Sequence, residues 1–201
     1  SSKLWMYHSH VHEDEDINTG LVGPLIVTRR GMAGPDGAPK DVDREFVTMF
    51  FEVIEPDSWL HPDNIRRYTG ISVDSATSQP GFDVTNTMQV INGYAYANLP
   101  TPTMRVGDDV RWYVFTGPNA GDSHTIHWHA NTTVYRGRRT DMVDLGPMMM
   151  GVADMKPDNP GTWLYHCHVD IHFKLGMSAK YRVLPRATSA PSTDSNLGGL
   201  Q

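Results

Sequence analysis

A single cysteine, Cys167, stands among 201 residues. It excludes an intrachain disulfide framework and any zinc site built on cysteine pairs. Three roles remain for it: core thiol, nucleophile or metal ligand. No apolar run reaches the length that spans a bilayer. No basic block is present and the formal net charge is −6, which argues against nucleic acid or an anionic membrane as the main partner. No long stretch keeps a helical apolar period, which turns the reading towards sheet. Nothing at the start reads as a signal peptide. Ser1 runs straight into Leu4-Trp5-Met6-Tyr7, which reads as the middle of a strand, so the natural N-terminus is expected upstream.

What is present is strand after strand. LVGPLIVTR (21–29), REFVTMFFEVI (44–54), TMQVING (87–93), DDVRWYVFTG (108–117), SHTIHWHA (123–130), GTWLYHCHV (161–169) and MSAKYRVLP (177–185) are rich in β-branched and aromatic residues, with Gly, Pro, Asn and Asp between them. SWLHPDNIRRY (58–68) predicts a short helical turn. Short strands punctuated by turn signals predict an all-β sandwich. Residues 30–43, rich in Gly, Pro and Asp, read as a linker. The tail, 186–201, lacks core-forming residues and reads as disordered.

Trp5-Met6-Tyr7-His8-Ser9-His10-Val11 echoes Trp163-Leu164-Tyr165-His166-Cys167-His168-Val169, and a Gly leads into a strand after each (Gly20-Leu21, Gly176-Met177). This internal repeat predicts the last strands of one domain in residues 1–29, then a complete domain in 44–185.

The second copy carries the chemistry. Side chains alternate along a strand, so His166 and His168 face one way and Cys167 the other. Cys167, His172 and Met177 supply thiolate, imidazole and thioether, the set of a blue-copper site once a second histidine joins. His124 of H-x-x-H-x-H fits that place if a turn or bulge near Thr125 aims it at Cys167. His127, His129, His166 and His168 then form an all-imidazole cluster, and His8 and His10 add two more at alternate positions. His12 and His61 show no partner pattern and read as structural. The Met148-Met149-Met150 run reads as core packing rather than Cu(I) docking. Glu13-Asp14-Glu15-Asp16 reads as a solvated loop. Asp122, Asp141, Asp144 and Asp170 are weaker candidates for proton relay or for receiving a cationic substrate.

H-x-x-H-x-H followed by H-C-H-x3-H-x4-M resembles the multicopper oxidases: laccases, ceruloplasmin-like ferroxidases and small two-domain laccases. The likeness covers nearly all of residues 4–185. YHSHV…GLVGPLIVTRRG and SWLHPDNI are similar to the ceruloplasmin branch; INGYAYANLP and PDNPGTWLYHCHV to the two-domain enzymes. The resemblance implies cupredoxin Greek-key sandwiches and about four coppers per complete subunit. It gives the type 1 copper to His124, Cys167, His172 and Met177. It gives the type 2 copper to His127, and the type 3 pair to His10, His129 and His166 on one side and His8 and His168 on the other. Two further histidines belong to an H-x-H-G motif expected upstream. Ser9 in the cysteine's place implies no type 1 copper in the first domain.

The implied activity is one-electron oxidation of a phenol, aromatic amine or metal ion, coupled to reduction of dioxygen to water. Electrons would leave through Cys167 to His166 and His168. The resemblance also implies a homotrimer with the cluster shared between subunits, in the periplasm or outside the cell, with neither nucleic acid nor membrane as partner. A copper nitrite reductase and a blue-copper electron carrier are the alternatives.

Overall fold

The computed structural model describes residues 2–118 and 123–187. The chain opens with β1 (Lys3–His8), a short helix α1 (Glu13–Asn18) and β2 (Val22–Val27). β1 and β2 pair antiparallel as a two-stranded sheet. The acidic run expected as a solvated loop is therefore helical. Its carboxylates fill the first turn, where the helix dipole favours negative charge, and Ile17 is buried beneath it. Strand, short helix and strand here repeat the order of residues 161–184, as the sequence echo implies.

The linker ends in β3 (Arg44–Ile54). A helical insertion follows: α2 (His61–Tyr68), with Pro62 in its first turn where no backbone donor is missed, then α3 (Val73–Thr77) and α4 (Phe82–Thr85). β4 (Thr87–Ile91), β5 (Thr103–Arg105), β6 (Val110–Thr116), β7 (His124–Trp128), β8 (Thr133–Tyr135), β9 (Arg138–Thr140), β10 (Met142–Leu145), β11 (Met150–Met155) and β12 (Gly161–Cys167) come next. α5 (Asp170–Lys174) and β13 (Ser178–Leu184) close the described fold. Each predicted strand is present, β3 over its full predicted length and the others with trimmed ends. Strands β5 and β8 to β11 are additional; most have only three or four residues.

Two sheets face each other. One has the order β4-β3-β6-β11-β8-β9, the other β10-β7-β12-β13-β5. Between them lies the main core, with Phe50, Trp112, Val114, Ala153 and Met155 from the first sheet and Ile126, Trp128, Leu145, Tyr165, Cys167 and Tyr181 from the second. Burying such side chains contributes roughly 1.5–3 kcal/mol each. Every residue of β6 is buried. Trp112 and Val114 face the core, while Tyr113 and Phe115 face outwards, where Leu4 of β1 covers them. The β1–β2 hairpin is therefore seated on the outer face of the six-stranded sheet.

The stretch 30–43 is tied to the sandwich. The backbone N–H of Asp43 donates to the Asp109 carbonyl (2.7 Å). Arg111, 3% exposed in its side chain, reaches Asp41 at 3.1 Å and Asp154 at 2.7 Å.

Candidate metal centre

Regular pleating puts two donor sets on opposite faces of one sheet. β12 pairs with β7 so that Tyr165 lies opposite Trp128, His166 opposite His127 and Cys167 opposite Ile126. On β7, His124, Ile126 and Trp128 are buried and the residues between them are partly exposed. His124 and His127 are three apart and so face opposite ways. No bulge is needed to aim His124 at the cysteine: residues 124–127 pair in unbroken register with β10.

On the inner face, the Cys167 Sγ lies 3.8 Å from the His124 Nδ1 and 3.6 Å from the His172 Nδ1. All three side chains are buried, and one atom from each lies within 4.8 Å of the others. His172 arrives from α5, which starts directly after the H-C-H segment. Met177 is fully buried. Its carbonyl accepts the Cys167 N–H (3.1 Å), and its own N–H donates to the His172 carbonyl (2.9 Å). A thiol and two imidazole nitrogens in a dry pocket suit copper better than a hard oxygen-seeking cation.

On the outer face stand His127, His129, His166 and His168. The Nε2 atoms of His129 and His166 are 3.1 Å apart, and those two residues with His127 form a second close group. The ring of His168 lies 5.2 Å from that of His127 and 5.7 Å from that of His166. Phe173 of α5 covers His166 at 4.7 Å.

The tautomers are set from outside. The His166 Nδ1 donates to the Cys167 carbonyl (2.7 Å), which leaves its Nε2 lone pair facing His129. The His127 Nε2 lies 3.3 Å from the Asp141 carboxylate, and its buried Nδ1 has no hydrogen-bond partner among the described residues. A carboxylate holding one imidazole nitrogen while the other points into a cluster is the arrangement that supports a metal-bound histidine. Burial, then the neighbouring His129, holds the His127 pKa below its ordinary value against the pull of Asp141. Burial does the same for His166, against its bond to the Cys167 carbonyl. Both shifts favour the neutral ring, which is the form that ligates a metal.

His8 and His10 do not join this cluster. Their rings are 5.5 Å apart, and each approaches Glu13, at 3.5 and 3.9 Å. The hairpin that carries them covers the six-stranded sheet, whereas His127, His129 and His166 lie on the far side of the five-stranded one. The His10 side chain is 84% exposed. Ser9, the echo of Cys167, donates its hydroxyl proton to Asp16.

The other candidates have structural surroundings. His61 is buried against Phe82, and His12 meets the Trp59 ring edge-on. Met148 and Met150 pack into two different clusters, which fits the packing reading of that run. Asp144 accepts from Thr125 and Asp170 pairs with Lys174. Asp122, and the tail from residue 188 on, lie outside the described residues. Sequence reasoning named Asp141 only as a weak candidate. Its contact with His127 depends on the β7–β10 pairing, which no local motif announces.

Two facing sheets, with thiol and imidazoles on one side of a strand and imidazoles alone on the other, define a cupredoxin-like domain. A family model described as multicopper oxidase matches residues 72–187. Ferroxidase HEPHL1 of Homo sapiens is 40% identical over 181 residues, hephaestin of Homo sapiens 40% over 186 and ceruloplasmin of Homo sapiens 38% over 178. These alignments take in 89% or 90% of this chain, but the chain spans only 16% or 17% of those relatives' length. A multicopper oxidase crystal structure superposes with a TM-score of 0.61 at 19% identity, covering 89% of this chain and 55% of that one, a likeness of fold. The chain belongs to the multicopper oxidase family.

Proposed function

We propose that the protein containing this chain is a laccase-like multicopper oxidase, which takes electrons singly from a reducing substrate and reduces dioxygen to water. The observation that carries this reading is the backbone of Cys167 and His166. These covalent neighbours present donors to opposite faces of β12, so two centres are joined through a few bonds. His124, Cys167, His172 and Met177 would hold the type 1 copper. His127 would hold the type 2 copper, and His129, His166 and His168, with His8 and His10, the type 3 pair. Bound copper would supply the one-electron redox chemistry; the protein fixes ligands, tautomers and access.

The surroundings of His172 favour an organic donor over a metal ion. Ile171 and Phe173 of α5 are exposed, as are Leu175 directly after it and Tyr96, whose ring lies against Gly176. The one acid of α5, Asp170, is paired with Lys174 at 2.7 Å. An apolar aromatic rim accepts a phenol or aromatic amine, whereas a metal ion calls for open carboxylates.

We place residues 1–29 as the end of a first cupredoxin domain and 44–185 as the second. We read the assembly as a homotrimer, periplasmic or extracellular, in which one subunit's His8 and His10 complete a neighbour's cluster. Copper analysis of the full-length protein tests the oxidase directly: about four ions per subunit are expected, and about one would favour an electron carrier. Dioxygen consumption with a phenolic donor should exceed that with Fe(II). Nitrite consumption in its place would favour a nitrite reductase. Met177→Leu should raise the type 1 potential; an unchanged potential would argue against axial thioether ligation.

A further inference from the structure

Three large rings fill the centre of the sandwich. Trp112, Trp128 and Tyr165 are each fully buried. Tyr165 lies 5.0 Å from Trp112 and 5.2 Å from Trp128, centroid to centroid, and the two indoles are 5.8 Å apart. The indole N–H groups of Trp112 and Trp128 are both buried with no acceptor among the described residues. A buried donor without an acceptor costs stability, and phenylalanine would fill much of the space without that cost. Such a group calls for an explanation, and a redox role is one.

Position supplies it. Trp128 is bonded along the chain to His127 and His129, and Tyr165 to His166. The ring cluster thus begins beside three of the four imidazoles on the outer face. It continues from Trp112 to Tyr181 at 6.0 Å. Tyr181 is the cross-strand partner of Trp163, so both project from the same face of the sheet. Trp163 is only partly buried, and its indole donates to the Asn159 carbonyl (3.0 Å) at the exposed rim.

We infer that Trp128, Trp112 and Trp163 form a protective relay that carries oxidising equivalents from the histidine cluster to the surface when the substrate supplies no electron through Cys167. The inference rests on the oxidase reading above. Each hop moves one electron inwards and one positive charge outwards. No bond forms or breaks, and no proton leaves Trp112 or Trp128, because neither N–H has an acceptor among the described residues. The two phenols are packing between the indoles: Tyr165 shares its hydrogen bond with the Thr48 hydroxyl, and Tyr181 meets the Asn131 amide and the His129 carbonyl. None of these groups is a base that would take the proton an oxidised phenol must lose. At the exit, a phenol in solution gives Trp163 one electron, releases its proton to water and departs as a phenoxyl radical. The oxidant is dioxygen undergoing reduction. A positive charge on a buried indole is disfavoured by the apolar interior. The relay therefore conducts only under strong oxidation and does not compete with Cys167 in ordinary turnover.

Mapping by peptide mass spectrometry tests this on the full-length, copper-loaded protein exposed to dioxygen with a trace of phenolic donor. Wild type should accumulate indole oxidation at Trp163. In Trp112→Phe, oxidation at Trp163 should fall severalfold and move to Trp128, His127, His129 and His166. Its initial rate with ample donor should be unchanged, and it should complete severalfold fewer turnovers before inactivation. Trp163→Phe, which leaves the core intact, should shift oxidation back to Trp112, so the inference stays testable if Trp112→Phe fails to fold. Equal Trp163 oxidation in wild type and Trp112→Phe, with copper bound, would overturn the relay alone. A protein that takes up no copper overturns both the relay and the oxidase reading.

Discussion

Thr48 and Tyr165 share a buried hydrogen bond of 2.7 Å across the sandwich. The Tyr165 hydroxyl lies in a fully buried setting that, despite the Thr48 bond, pushes its pKa far above the ordinary phenol value. Thr48→Val should strand it at a cost of roughly 1–3 kcal/mol. Removing both polar groups, as Thr48→Val with Tyr165→Phe, should recover most of that loss; urea denaturation of the three variants measures the difference. Asp141 acts on His127 from outside the cluster. Asp141→Asn should weaken copper binding on the outer face about 10–100-fold while the absorption of the inner site stays in place, read by competitive chelation beside the visible spectrum. The two donor sets themselves were legible in the sequence, because strand alternation turns H-C-H and H-x-x-H-x-H into statements about faces. Asp141 and the indole cluster were not. They are set by which strands pair, and β10 is too short and too mixed in composition to declare its partner.

Among the elements, the segment 30–43 makes a contact that its composition does not announce. Its Gly, Pro and Asp content reads as a linker, yet Asp41 closes over a guanidinium 70 positions later. No periodic pattern can encode that contact. Burial opposes the charge on Arg111, and the bonds from Asp154 and Asp41 more than reverse this, raising its pKa. The same bonds hold the Asp41 carboxyl below its ordinary value of 3.8, against the smaller effect of burial. A carboxyl whose pKa is depressed by folding stabilises the fold above its unfolded value and loses that contribution as pH falls through the folded one. The copper-free wild type should therefore lose stability more steeply than Asp41→Asn below about pH 4. The variant should be the less stable of the two near neutral pH. Thermal unfolding across that range decides it, and parallel curves would mean that Asp41 does not anchor the segment. Likewise the acidic run 13–16 is polar enough to read as solvated. Ile17 alone signals burial, and one apolar residue is too little to distinguish a helix from a loop.

At the scale of the molecule, the proposed cluster requires His8 and His10 to meet the other histidines. Within one chain the sandwich stands between them: the hairpin covers the six-stranded sheet, and His127, His129 and His166 lie outside the five-stranded one. Closing that gap inside the chain would mean unseating Leu4, Met6 and Ile26 from Tyr113 and Phe115. Contact between subunits costs no such rearrangement, and a head-to-tail interface that closes into a ring gives every cluster the same composition. Subunit mixing separates the two routes. A double variant His8→Ala/His10→Ala and a second, His129→Ala/His166→Ala, should each be inactive alone. If clusters form between neighbours, every interface pairing an intact hairpin of the second variant with an intact sheet of the first is complete. Coexpression in equal amounts should then restore about a quarter of the wild-type dioxygen consumption, because random assembly places the right neighbour on each side half the time. If instead each chain closed its own cluster, every subunit in the mixture would still lack one half, and no activity would return at any ratio.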